Sequence, residues 1–351
     1  MIAASLPAVL RRRWVQVLSV TLALAVLILA KLLFWPYQGS AEPAVVVIEQ
    51  GLGRRAIADK LAAHGVLASR WPFLFYAYLQ PYRSLKAGEY SFAGPLSAAG
   101  VFAKMARGEV HLYALTIPEG YTRWDIADEV ERLALASRAA FLEATNNAEL
   151  IRDLAPQAAN LEGYLFPDTY HFARPSDPAA MARTMVEHFQ QVYGELLRDH
   201  PANPQNLSPH EVVTLASLVE KETSAVEERG LIAAVFTNRL RRRMFLACDP
   251  TVIYAARLAS DGSFDGVINV SDLERDSPYN TYLHTGLPPG PIASAGRAAL
   301  EAVLNPPESN YLYFVSNTRG GHFFAATAAQ HSRNVARYRR LRARQRAGST
   351  P

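Results

Sequence analysis

The sequence predicts an α+β protein with three parts: an N-terminal transmembrane helix, a small α/β unit, and a larger domain of mixed helix and strand. Three observations carry this. A run of 22 residues from Trp14 to Trp35 follows the triplet Arg11–Arg13 and holds a single charge, Lys31. Behind it, short β-branched runs alternate with amphipathic stretches as far as about residue 118. Beyond that point the helical patterns lengthen, and the segments between them fill with Tyr, Asn, Asp, Gly and Pro.

As a helix the apolar run spans roughly 33 Å at ~1.5 Å per residue, about one bilayer core. Lys31 lies near its far end, where a long side chain reaches back to the interface, and a Trp marks each end. Arginines precede the span and none follows closely. The positive-inside rule therefore puts residues 1–13 in the cytoplasm, makes 14–35 a single-pass anchor, and places the rest of the chain outside. The competing reading is a cleaved signal peptide with GSA at 39–41 as the processing site. The apolar region is longer than the ~7–15 residues such a peptide uses.

At 351 residues the chain is long enough for two or three compact units. A formal net charge of +4 is too mild to argue for nucleic acid as a partner. Cys248 is the single cysteine, so no intramolecular disulfide forms. Lysines number five and the basic character is mostly arginine.

Residues 36–44 read as a linker, with a reach of roughly 30 Å at ~3.3 Å per extended residue. VVVI at 45–48 is a β-branched strand. RAIADKLAAHGV at 55–66 places Ile57, Leu61, Ala62 and Val66 at helical spacing, with Gly65 near its end. EYSF at 89–92 is a strand. The stretch 96–110 is a helix, with Ser97 as cap and Gly108 as stop. LYALTI at 112–117 is another strand and WDIADEVERLAL at 124–135 another helix. These patterns set a small unit at 45–118 and a larger domain at 119–335. Residues 336–351 form a basic tail. Seven arginines at 333–346 make its start a solvated helix or an unstructured end, suited to acidic polymer or lipid headgroups.

Within the larger domain the helix NLSPHEVVTLASLVEKETS begins on strong signals. Ser208 can cap it, Pro209 takes the first helical position, and Glu211 completes the capping box. At about 100° per residue, Val212, Val213, Leu215, Ala216, Leu218 and Val219 form one broad apolar arc. Glu220 falls inside that arc, between the directions of Val213 and Ala216. Lys221 points the other way, beside Thr214 and Ser217. Glu222 lies on the opposite edge of the arc. A carboxyl on an apolar face loses hydration, its pKa rises, and it can hold a proton near neutral pH for a leaving oxygen. Periodicity does not choose between Glu220 and Glu222. It also leaves open a solvated Glu220 at a fraying helix end.

Read together and in order, LEGYLFPDTY (161–170), LASLVEKET (215–223), VFTNRL (235–240), CDPTVIYA (248–255), YNTYLHTGLPPGPI (279–292), YLYFVSN (311–317) and GGHFF (320–324) resemble the MltG (YceG-like) family of endolytic murein transglycosylases. The resemblance extends over nearly the whole chain. It implies that 45–118 is a LysM-like subdomain and 119–335 the catalytic domain. It implies an enzyme that cuts MurNAc–GlcNAc β-1,4 bonds inside peptidoglycan strands without water, leaving 1,6-anhydro ends. The family's catalytic acid is the first Glu of an E-K-E motif, which is Glu220 here. The nucleophile is then the substrate's own C6 hydroxyl, so a second catalytic carboxylate is not required.

The same resemblance assigns substrate-binding positions to Glu162, Asp168, Glu222, Asp249, Tyr279, Asn280 and Tyr282. It implies no cofactor and no metal, and it points to penicillin-binding synthases as partners on nascent strands. Cys248 stands where a polar residue is expected and has no neighbouring His in sequence to activate it. Two other functions fit the chain less well. A non-catalytic, membrane-tethered glycan-binding scaffold would keep the groove but use Glu220 only as a hydrogen-bonding group. A pyridoxal-phosphate lyase would need a Schiff-base lysine and a phosphate cup. Lys221 is the one lysine after Lys104, and no Gly-rich phosphate loop precedes its helix. The nine histidines show no H-E-x-x-H spacing.

Overall fold

The computed structural model describes residues 8–39, 42–201, 206–264 and 266–348. Of the segments singled out above, residues 1–7, Ser40 and Ala41 of the GSA triplet, and 349–351 of the tail lie outside the described residues. The chain forms two compact units. The first runs to Tyr113 and includes Ala173–Pro175; the second holds Ala114–Phe172 and Ser176 onward.

The first unit opens with α1 (Ala8–Phe34). Its stretch Arg12–Phe34 is long and apolar enough to cross a membrane. Leu18, Leu22 and Leu27 expose about two thirds of their surface, an arrangement that lipid tolerates and water does not. Strand β1 (Ala44–Ile48) pairs antiparallel with β2 (Gly88–Phe92), Val46 opposite Tyr90. The period-two pattern is clean: Val46 and Ile48 are buried while Val45 and Val47 face out. Between the strands lie α2 (Arg54–Ala63) and α3 (Arg70–Leu79), and α4 (Ala98–Arg107) follows β2. Leu61, Phe73, Tyr90, Phe102 and Met105 make the core. Ser97 caps α4 and Gly108, at φ 73°, closes it. Helix α3 leaves little trace in the sequence, because RWPFLFYAYL has no polar face and carries a proline. Pro72 sits in the first turn, where a missing N–H costs nothing, and Ser69 caps the helix.

The second unit begins within β3 (Tyr113–Thr116), which pairs with β4 (Thr169–Phe172). The strand expected at 112–117 therefore takes its partner from the segment after LEGYLFP, and the boundary falls near 113 rather than at 118. Helices α5 (Arg123–Arg132) and α6 (Arg138–Thr145) lie between these strands, and α7 (Pro178–Asp199) follows. Next come α8 (Pro209–Glu222), α9 (Arg229–Arg241), α10 (Asp249–Ala259), the single turn α11 (Val270–Leu273) and α12 (Arg297–Leu304). The hairpin β5 (Tyr313–Ser316) and β6 (His322–Ala325) leads into α13 (Ala328–Gly348). The basic tail is thus helical as far as it is described, and its first turns rest on the hairpin. The CDPTVIYA motif lies at the start of a helix, with Pro250 in its first turn.

Helix α8 is the axis of this unit, packed by α9, α10 and α12. Ser208 and Glu211 form the expected capping box. The expected polar side is absent: Thr214 and Ser217 are as buried as the valines. Their hydroxyls satisfy themselves on backbone, Thr214 Oγ1 donating to His210 O at 2.7 Å and Ser217 Oγ to Thr214 O at 2.7 Å. Ser217 Oγ also accepts the Ile292 N–H at 3.0 Å, tying α8 to the PPGPI loop. Gly163, at φ 80°, lies so close to Pro291 that a side chain there would collide with it. The LEGYLFP and PPGPI loops therefore meet directly.

Candidate active site

Glu220 sits in the last turn of α8 with its side chain 5% exposed. Its two oxygens have separate partners. Oε1 accepts from Arg229 Nη2 at 2.6 Å, and Oε2 accepts from the backbone N–H of Gly296, the N-cap of α12, at 3.0 Å. Burial pushes the Glu220 pKa up; the Gly296 N–H and the Arg229 charge oppose the rise, and the nearby Glu119 charge adds to it. The group is neither solvated nor fraying.

Arg229, at the start of α9, is equally buried, and the same Nη2 donates to Glu119 Oε2 at 3.0 Å. Glu119, Arg229 and Gly296 carry no signal in the sequence. Glu119 precedes a helix cap in IPEGYT, and Arg229 ends the surface-like run EER. Only the fold sets them against Glu220.

Above these groups lies a groove with two lobes that share Glu119, Gly120 and Lys221. The smaller, about 450 Å³, is lined by Glu220, Glu222, Thr223 and Arg229. The larger, about 630 Å³, runs past Tyr121, Asp125, Ile253, Arg257 and Phe264. Lys221 does leave the core, but it enters the groove instead of turning away from it, and its Nζ donates to Gly120 O at 3.1 Å.

The other expected site residues fall into three groups. Glu222, Asp249 and Tyr282 lie around Cys248. Burial raises the Glu222 pKa, and the Cys248 thiol donates to its carboxylate. The thiol itself is buried and pushed well up by burial and by Glu222, which disfavours a thiolate nucleophile. The Tyr282 hydroxyl donates to Asp249 Oδ1 at 2.5 Å, on an exposed edge.

Glu162 and Tyr279 belong to a second cluster beneath the groove. Glu162 is 3% exposed, so it does not reach a ligand; its oxygens accept the N–H of Arg123 at 3.1 and 3.3 Å and the Tyr254 hydroxyl at 3.2 Å. It holds the first turn of α5 against α10, and burial lifts its pKa to about 7. The Tyr279 ring stacks at a tilt on Tyr254, centroids 4.9 Å apart. Asn280 is fully buried. Its Nδ2 donates to Leu273 O and Arg275 O at 2.9 Å each, and its Oδ1 accepts the Tyr282 N–H, so it staples the SPYNTY loop and has no group left for sugar.

Asp168 stands apart from the groove. It is exposed, accepts the Thr169 N–H and faces His188 Nδ1 at 3.3 Å.

A dry carboxylic acid at the floor of an open polar groove, with charge partners fixed on three other segments, is the layout of an acid–base enzyme acting on an extended polar ligand. Comparison with known proteins agrees with that class. The YceG-like family profile matches residues 46–337. The chain is 30% identical over 326 residues to the endolytic murein transglycosylase of Bacillus subtilis (strain 168), covering 88% of each. It is 32% identical over 336 residues to the endolytic murein transglycosylase of Streptococcus pneumoniae serotype 2, covering 86% of this chain and 60% of that one. Among solved structures, a putative yceG-like protein from Listeria monocytogenes is 34% identical and superposes with a TM-score of 0.55 over 84% of this chain and 99% of its own. The chain belongs to the YceG-like family.

Proposed function

We propose that this protein is an endolytic lytic transglycosylase of peptidoglycan. It cleaves the MurNAc–GlcNAc β-1,4 bond within nascent strands and leaves 1,6-anhydro-MurNAc ends. The activity class is that of its relatives, lytic transglycosylases. The observation that carries the finer reading is Glu220: one acid, dry and raised in pKa, at the floor of an open two-lobed groove.

In this reading Glu220 begins protonated. It gives its proton to the glycosidic oxygen as the C1–O bond breaks, and GlcNAc leaves with a free 4-hydroxyl. The carboxylate so formed is received by the Arg229 guanidinium and the Gly296 N–H, both already in place, so no reorganisation is needed as charge develops. The C6 hydroxyl of MurNAc then closes on C1 and returns its proton to Glu220. Atoms balance without water, and one carboxyl serves both steps. In this reading Glu222 lines the groove as a sugar-binding group, Asp249 and Tyr282 contribute from their exposed edge outside its two lobes, and Glu162, Tyr279 and Asn280 hold the surrounding loops.

Helix α1 anchors the chain in the inner membrane with the second unit in the periplasm, close to strands emerging from penicillin-binding synthases. The first unit's β–α–α–β order, with its two strands antiparallel, supports a LysM-like role in holding glycan. Digestion of purified glycan strands followed by mass spectrometry tests the proposal: anhydro ends are expected. Reducing ends would make the protein a hydrolase, and binding without cleavage a tethered scaffold.

A further inference from the structure

Glu119 is a second carboxylate at the reacting centre that the one-acid mechanism leaves without a task. Its placement is specific. Oε2 shares Arg229 Nη2 with Glu220, at 3.0 Å against 2.6 Å. The rest of its carboxyl lies over the Cα of Gly296, so closely that any side chain at 296 would occupy the same space. Gly296 is also the residue whose N–H binds Glu220. Glycine there admits both carboxylates to one helix N-terminus at once. The Glu119 side chain is 46% exposed, where Glu220 and Arg229 are each 5% exposed.

One guanidinium between two carboxylates cannot fully neutralise both. Four groups face Glu220: Arg229 from α9, the Gly296 N–H from α12, Lys221 next to it on α8, and Glu119 from the segment before α5. The first three favour its carboxylate, and Glu119 alone favours its acid form. Resting on the transglycosylase reading, we propose that Glu119 is a positioning residue: by sharing Arg229 it withholds part of that charge from Glu220 and keeps the acid supplied with the proton that the leaving oxygen needs. As Glu220 ionises during bond cleavage, Arg229 and the Gly296 N–H receive its charge where they stand, and the half-exposed Glu119 is compensated by solvent. Sharing thus favours the proton before the step without removing the groups that receive the carboxylate.

The test is Glu119→Gln, which keeps shape and hydrogen bonding but removes the charge, with Glu119→Asp as the charge-retaining control. For the full chain in detergent, kcat/KM on purified glycan is measured at pH 5 and pH 8. Expected for Glu119→Gln is a loss that grows with pH, reaching about tenfold at pH 8 and smaller at pH 5, because removing the Glu119 charge makes the Glu220 proton easier to lose. Glu119→Asp keeps the wild-type profile. An equal loss at both pH values, no loss at pH 8, or a pH-independent rise in KM would overturn the proposal, the last by making Glu119 a sugar-binding group. Infrared difference titration, with Glu220→Gln subtracted to identify the Glu220 band, reads the same effect without turnover. Its midpoint moves to lower pH in Glu119→Gln, and an unmoved midpoint refutes the proposal. Absence of anhydro products from the wild type would sink the transglycosylase reading, while the infrared titration still decides the role of Glu119.

Discussion

Replacing Glu162 by Gln removes an ionisable proton from a site that is 3% exposed. The carboxyl there has its pKa lifted from the ordinary 4.5 to about 7, first by burial, against the Arg123 N–H that favours its charge. In the unfolded chain the group ionises in the ordinary range, so between about pH 4.5 and 7 the folded protein binds more protons than the unfolded one. Stability contributed by this site is therefore intact below about pH 4.5 and falls as pH rises through about 7. At ~1.36 kcal/mol per pKa unit, the loss across that window is about 3 kcal/mol. Glutamine keeps an oxygen for the Arg123 N–H and carries no charge to desolvate. The Glu162→Gln protein is then expected to gain about 2–4 kcal/mol on the wild type between pH 5 and pH 8. Urea unfolding followed by tryptophan fluorescence suits the measurement. Trp124 is 2% exposed beside Tyr254, while Trp14, Trp35 and Trp71 are each at least 59% exposed, so the emission shift reports this unit. Parallel stability–pH curves for the two proteins would refute the reasoning and return Glu162 to the groove as a hydrated, ligand-facing acid.

Three further outcomes follow from the geometry. Glu220→Gln keeps the Gly296 contact and is expected to lose about 10²–10⁴-fold in release of anhydro ends while binding glycan normally; more than a tenth of wild-type turnover in a digest would contradict its role as acid. Asn280→Ala removes three hydrogen bonds that a fully buried side chain makes to backbone and should cost about 2–4 kcal/mol in urea unfolding; unchanged stability with a raised KM would instead mark Asn280 as a sugar contact. Cys248, buried with a disfavoured thiolate, should resist iodoacetamide in the native protein and react once urea unfolds it; rapid native labelling would show the thiol to be accessible.

Much of the fold is legible because local patterns and tertiary contacts agree. The alternation of Val45–Ile48 gives one face to the core, and the Ser208/Glu211 capping box starts α8 where its side chains say it should. Helix α3 is the exception, since an aromatic run with a proline has neither a polar face nor a helical period to read. The site is legible only in part. Glu220 stands out because a charge within an apolar arc conflicts with burial, and that conflict is a local property of one helix. The polar side assigned to α8 fails for a physical reason: hydroxyls at Thr214 and Ser217 can bond their own helix backbone and be buried, which charge periodicity does not register.

By itself, the sequence determines the apolar N-terminal span, the start of α8 and the candidacy of Glu220, because these depend on residues within a few turns of one another. Tertiary structure alone decided the groups that tune the acid. Glu119, Arg229 and Gly296 lie 101, 9 and 76 residues from Glu220, and a glutamate beside a helix cap looks the same on a solvated surface as at a reaction centre. Packing also decided which acids stay in reach of a ligand: Glu162 was drawn under α5 and Glu222 left at the groove, because the orphan N–H of a helix start needs a buried acceptor that water cannot supply.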